Sequence, residues 1–275
     1  MTLQRIDTRF AALKGDGRAA FIAYVMAGDP DIETSFAILK GLPAAGADLI
    51  ELGLPFSDPM ADGPPIQRAA RRALTAGMTT GGVLDLVARF READSATPVV
   101  LMGYLNPILS LGFEAFAARA AAAGVDGLIV VDCPPEEAGP LAHALEAQSV
   151  ALIRLATPTT DAARLAVVAA GTRGFLYYVS VAGVTGEREA DAEAIAPAVA
   201  RARAASGLPV AVGFGIRTPE RAAAVARVAD AAVVGSALVD CIGEAIANNR
   251  DPVSKLLDTA AKLAKAVRSA RVDES

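Results

Sequence analysis

Short apolar runs rich in β-branched residues alternate along this chain with alanine-rich segments whose apolar positions recur at helical spacing. The apolar runs begin near Phe21, Ala47, Thr97, Val125, Ser149, Arg173, Leu208 and Asp230. Helical patterns lie between them, over residues 33–45, 114–123, 135–148, 160–170, 192–205 and 218–227. Strand followed by helix, eight times over, predicts an α/β fold, a (β/α)8 barrel of parallel strands. A leading amphipathic helix over 3–13 is expected to cap the barrel bottom, and a long one over 252–268 to close the ring. An internal echo supports the repeat. Ala45-Gly-Ala-Asp48 and Ala123-Gly-Val-Asp126 each close a helix and open a strand, with glycine where a left-handed C-terminal residue is needed. Residues 1–275 read as one domain, a common size for such barrels.

The two longest intervals between strand starts run from Ala47 to Thr97 and from Arg173 to Leu208. Their extra residues fall after the second and sixth strands, on the face where barrel enzymes place catalysis. Long loops with glycine and proline there are expected to act as lids.

The second strand carries a single carboxylate, Glu51, in an otherwise apolar run. A strand of that kind is buried on both faces in a parallel sheet, where a lone carboxyl is costly to ionise and becomes a general acid near neutral pH. The Gly/Pro-rich loop that follows adds Asp58 and Asp62. Three glycine-bearing turns follow the late strands: Ala182-Gly-Val-Thr-Gly186, Val212-Gly-Phe-Gly-Ile216 and Val234-Gly-Ser236. Glycine lets backbone N–H groups approach an anion, and a helix N-terminus adds a favourable dipole, so a phosphate-bearing substrate is expected. None of Lys14, Lys40, Lys255, Lys262 and Lys265 falls at the C-terminal end of an expected strand, which argues against a Schiff-base mechanism. No His/Cys/Asp cluster has metal-ligand spacing, and His143 sits mid-helix, so no metal is expected. Asp58 reads as a loop-ordering residue, Asp132 as a strand-end hydrogen-bond acceptor and Cys133 as a packing residue.

Composition narrows the partners. The net charge is −5 and the basic residues are scattered, which excludes a nucleic-acid or anionic-membrane surface. The two cysteines, Cys133 and Cys241, read as reduced thiols of a cytoplasmic protein. Residues 1–10 lack the apolar core of a signal peptide, and no apolar run reaches the roughly 18 residues of a membrane span.

The motifs Pro55-Phe-Ser-Asp-Pro-Met-Ala-Asp-Gly-Pro64, Gly183-Val-Thr-Gly186 and Gly213-Phe-Gly-Ile216 resemble those of the tryptophan synthase alpha subunit family, over nearly the whole chain. The resemblance implies a (β/α)8 barrel that cleaves indole-3-glycerol phosphate to indole and glyceraldehyde 3-phosphate, with no cofactor of its own. It places the catalytic glutamate on Glu51 and the catalytic aspartate on Asp62. It places phosphate binding on Gly186, Gly215, Gly235 and Ser236, with Phe214 and Ile216 as neighbours. The indole pocket falls on Tyr24, Ile66, Met102 and Ile129, with Tyr177 lining the site and Thr185 approaching the catalytic aspartate on closure. It also implies a pyridoxal-phosphate beta subunit, in an alpha2-beta2 complex, that receives indole through a tunnel. The loops over 54–65 and 181–191 are the expected contact surface, with Pro55, Phe56, Pro59 and Met60 offering apolar area. Two rivals are another phosphate-binding barrel, such as an isomerase, and a catalytically weak barrel acting mainly as a regulatory partner. An isomerase needs acid pairs at other strand ends, and the presence of both Glu51 and Asp62 argues against the second.

Overall fold

The computed structural model describes residues 3–180, 192–213 and 215–271. Its strands are β1 (Ala20–Met26), β2 (Leu49–Gly53), β3 (Val99–Gly103), β4 (Gly127–Val130), β5 (Ala151–Ile153), β6 (Leu155–Ala156), β7 (Leu176–Val179), β8 (Val210–Gly213) and β9 (Ala231–Val234). The helices are α1 (Leu3–Gly15), α2 (Ile32–Gly41), α3 (Pro64–Thr75), α4 (Thr80–Arg91), α5 (Leu105–Leu109) and α6 (Phe113–Ala123), followed by α7 (Gly139–Ala147), α8 (Ala162–Ala170), α9 (Ala192–Ser206), α10 (Pro219–Val228), α11 (Ser236–Ala247) and α12 (Pro252–Ser269).

All strand pairs are parallel, in the order β5-β4-β3-β2-β1-β9-β8-β7-β6. The two ends of that order are halves of one barrel strand, interrupted at Arg154. Main-chain bonds from Arg173 N–H to the Leu152 carbonyl (3.0 Å) and from Tyr177 N–H to the Arg154 carbonyl (3.1 Å) join the halves to one neighbour. The barrel therefore closes with eight staves, as the alternation predicts. The strands start two or three residues later than the apolar runs for the most part. The entry residues Asp48 and Asp126 are buried, but their side chains accept hydrogen bonds from neighbouring strands.

Inward and outward residues alternate along each strand, which splits the core in two. Residues such as Leu39, Leu52, Val87, Leu101, Phe116 and Leu238 pack between barrel and helices. The barrel interior holds Ile22, Leu49, Val100, Ile129, Ile153, Phe175, Tyr177 and Val233. Ile6, Phe10 and Leu13 of α1 join this inner cluster, and the Phe10 and Phe175 rings lie 5.7 Å apart. Their spacing gives α1 one apolar face, and that face plugs the bottom.

The bottom is also tied by charge. Asp126 accepts from Val99 N–H (2.8 Å), Arg5 (2.8 Å) and Arg91 (2.7 Å). Asp48 accepts from Phe21 N–H and Arg18, each at 2.9 Å. Asp230 repeats the device with Val210 N–H (2.8 Å) and Arg203. Arg5 and Arg9 of α1 reach two of these carboxylates. Breaking a buried, hydrogen-bonded pair costs about 3–5 kcal/mol, so this face serves stability.

The long interval after β2 holds two helices rather than a longer loop. The loop itself ends at Gly63, where Pro64 and Pro65 open α3. α3 packs against α11 and β1, so it carries the end of the loop across the mouth toward the late strands. The corresponding stretch after β7, residues 181–191, lies outside the described residues.

Candidate active site

Glu51 is the third of five residues in β2 and points into the barrel between Leu49 below and Gly53 above. Tyr24 is its register partner on β1. Both face a small cavity at the C-terminal mouth, about 50 Å³ in volume, lined by Tyr24, Glu51, Asp62, Ile66, Met102, Tyr177, Gly215, Ile216, Val233, Gly235 and Ser236. All but Val233 are residues that the sequence reading or the family resemblance names. Strands β1, β2, β3, β7 and β9 supply one wall, and the loop ahead of α3 supplies Asp62. Met102 and Asp62 also line a larger neighbouring cavity of about 770 Å³, which extends over Asp132, Pro134, Arg154 and Thr157. These two side chains are therefore the partition between the cavities.

Ile129 lies elsewhere. It is the register partner of Met102, is fully buried in the barrel interior and lines neither cavity. Thr185, Gly186 and Phe214 lie outside the described residues.

The two carboxyls are held at different acidities. Glu51 is 1% exposed, and burial, with the charge of Asp62 adding to it, lifts its pKa to about 8. Its Oε2 has no hydrogen-bond partner among the described residues. A carboxyl there is neutral at pH 7 and has a proton to give. Burial lifts Asp62 to about 6, and a hydrogen bond from the Tyr104 hydroxyl opposes that rise. Asp62 is therefore mostly ionised at pH 7. The hydroxyls of Tyr24 and Tyr177 are pushed well above the ordinary tyrosine range, chiefly by burial, and stay protonated.

At the far side, Gly235 caps α11 and Ser236 is its first residue. The first N–H groups of a helix lack partners within it and carry the positive dipole end, and Gly235 and Ser236 at this terminus line the cavity. Gly215 completes the corner with φ +75°, a conformation that favours glycine. The glycines also make room for aromatic rings. A Cβ on Gly235 would lie 3.2 Å from the Tyr24 ring, and a Cβ on Gly213 would collide with the Tyr177 hydroxyl.

Asp132 is a strand-end acceptor, bonded by Leu105 N–H at 2.8 Å. Asp58 is exposed and bonds Ser57 in its own loop. His143 is exposed on α7. Tyr104 carries no motif signal, and sequence reasoning misses it. Its single sequence clue is its place directly after a strand ending in glycine. Phe56, read as exposed contact area, instead packs its ring 5.4 Å from that of Tyr104.

Fold and site together define a class, the (β/α)8-barrel enzymes with a carboxyl pair at the C-terminal mouth. The sequence profile described as "Tryptophan synthase alpha chain" matches residues 10–268. A curated tryptophan synthase alpha chain from Caulobacter sp. (strain K31) is 70% identical over 273 residues, covering 99% of each chain. One from Phenylobacterium zucineum is 69% identical, covering 98% of each. The crystal structure of tryptophan synthase subunit alpha from Legionella pneumophila superimposes with a TM-score of 0.89 at 41% identity, over 96% of this chain and 98% of that one. The chain belongs to the tryptophan synthase alpha chain family. It is a carbon–carbon lyase of tryptophan biosynthesis that cleaves indole-3-glycerol phosphate to indole and glyceraldehyde 3-phosphate.

Proposed function

We propose that Glu51 is the acid and base of this cleavage and that Asp62 stabilises the charge it creates. Neutral Glu51 donates its proton to indole C3, which places positive charge on the ring nitrogen. The resulting carboxylate then takes the proton of the adjacent side-chain hydroxyl. The O–H electron pair becomes the carbonyl of glyceraldehyde 3-phosphate, the C–C bond breaks, and its electrons return to the ring as indole. Asp62 accepts the ring N–H throughout, and its charge matters most when the nitrogen is most positive. One observation carries the assignment: two carboxyls share one cavity with acidities pushed apart, to about 8 and about 6.

The substrate phosphate sits on the N-terminus of α11, with Gly215, Gly235 and Ser236 presenting backbone donors and Gly186 approaching from the loop after β7. Tyr24, Ile66, Met102 and Tyr177 enclose the indole, with Phe214 and Ile216 beside the phosphate, Ile129 beneath the pocket and Thr185 closing on Asp62. The inner cavity is below the several hundred Å³ usual for ligand sites. The partition formed by Asp62 and Met102 therefore moves when substrate enters.

Glu51→Gln keeps the size and cannot transfer the proton, so turnover should fall roughly 10²–10⁴-fold with the fold intact. In the parent, activity should need ionised Asp62 and neutral Glu51, rising as pH passes about 6 and falling as it passes about 8. Cleavage rates measured across that range test both, and a Glu51→Gln protein within a few-fold of the parent would refute the assignment.

The same reading assigns a partner, a tryptophan synthase beta subunit that receives the indole in an alpha2-beta2 complex. Met60, 80% exposed at the loop tip, and Leu109, 54% exposed on α5, supply apolar area beside the mouth. Two unpaired thiols, Cys133 and Cys241, fit the cytoplasm. No helix among the described residues is long and apolar enough to cross a membrane. The whole of residues 1–275 acts as one domain.

A further inference from the structure

The loop that brings Asp62 into the cavity is exposed from Ser57 to Ala61 except for Pro59, yet its carboxyl has to be aimed. Its first residue is fixed by the end of β3. Leu54 N–H bonds the Met102 carbonyl at 2.8 Å, and Gly103 lets the Leu54 side chain press against the strand, since a Cβ there would lie 2.8 Å from Leu54 Cβ. The next residue, Tyr104, is 3% exposed. Its backbone neighbours are pinned on both sides, by Val131 N–H to the Gly103 carbonyl (3.0 Å) and by Leu105 N–H to Asp132 (2.8 Å). From this rigid base the ring supports Phe56, and the hydroxyl accepts Ala61 N–H at 3.0 Å. The residue next in the chain is Asp62, and the same hydroxyl opposes the rise that burial gives its carboxyl.

We propose that Tyr104 is a positioning residue for the lyase reaction: its one hydroxyl fixes the backbone at Ala61 and, as a donor, orients the Asp62 carboxylate that follows. The inference rests on the role given to Asp62 above. A phenolic hydroxyl suits it because it accepts and donates at once. A hydrogen bond to an ionised group favours that form. The other ionisable groups facing this pair among the described residues are Glu51 on β2, Tyr24 on β1 and Asp132 after β4. Burial disfavours the charge on Asp62, and the Tyr104 hydroxyl is the group that opposes that rise. Tyr104 does not line the inner cavity and acts only through Asp62.

Tyr104→Phe in the full chain keeps the ring and its packing on Phe56. Cleavage of indole-3-glycerol phosphate should fall about 10- to 100-fold in kcat, the equivalent of one hydrogen bond to a charged group. Glycerol phosphate binding and the melting temperature should stay near those of the parent. The acid limb of the pH–rate profile should move to higher pH. In an Asp62→Asn background the same change should cost nothing further. An acid limb left in place, or a full additional loss on top of Asp62→Asn, overturns the inference. A near-normal rate for Asp62→Asn alone overturns instead the role of Asp62 on which it stands.

Discussion

At the scale of single residues, the site is governed by what burial does to acids and by what glycine leaves room for. Glu51 is acidic chemistry placed where water cannot solvate it, and its proton is retained near neutral pH for that reason. Gly235 serves two masters, the expected approach of phosphate to the backbone and the Tyr24 ring stacked 3.2–3.4 Å from where a Cβ would stand. Gly235→Val should therefore weaken glycerol phosphate, through the crowded backbone, and also indole, through the displaced ring. Overpacking of this kind costs about 1–3 kcal/mol. Separate titrations of the two ligands distinguish the effects. Loss of indole alone would remove Gly235 from the phosphate cradle and leave it as a packing residue for Tyr24.

At the scale of elements, the proposed site is assembled from parts that are far apart in the chain. β2 holds the acid, the loop before α3 holds the second carboxyl, and the N-terminus of α11 faces them across the cavity. Because phosphate is assigned to α11 and the neighbouring glycines, Asp62→Asn should be severely impaired in cleavage yet bind glycerol phosphate with nearly parental affinity. Phosphate affinity falling with the cleavage rate would mean that Asp62 organises the whole mouth. The eight strands were legible at this scale because each is an apolar run between helical patterns. α3 was not. Ile66, Ala69, Ala70 and Ala73 do recur at helical spacing among good helix formers, but their place inside a long glycine- and proline-bearing interval hides them, and the elements that this face packs against are distant in the chain.

At the scale of the whole molecule, the barrel has two ends with opposite tasks. The bottom, with its plugging helix and the carboxylates of Asp48, Asp126 and Asp230, holds the staves in register. The mouth carries the cavities and the exposed loop tip at Met60. A partner seated on that rim would order the same loop that aims Asp62, so binding and cleavage should be linked. The isolated chain should be a weak lyase that a tryptophan synthase beta chain activates. Indole release followed with and without that chain checks this. A full rate in isolation, unchanged by a beta chain shown to bind, refutes the coupling.

Local sequence was enough for the barrel, because the alternation of strand and helix leaves few ways to bury both faces of a parallel sheet. It was enough for Glu51, since a lone acid in an apolar strand already states its own electrostatic predicament. The echo at Asp48 and Asp126 was also visible, though not its purpose, which needs strands from elsewhere to supply the N–H groups they bind. Only the tertiary structure decided the rest. That Tyr104 reaches Ala61 across 43 positions, that Ile129 is buried in the barrel interior without lining the cavity, and that Gly213 and Gly235 lie against tyrosine rings all depend on which strands stand side by side. Such contacts leave no local signature. Any residue of suitable size and polarity satisfies the chain around Tyr104, and the requirement for a hydroxyl arises only when the loop folds back over the end of β3.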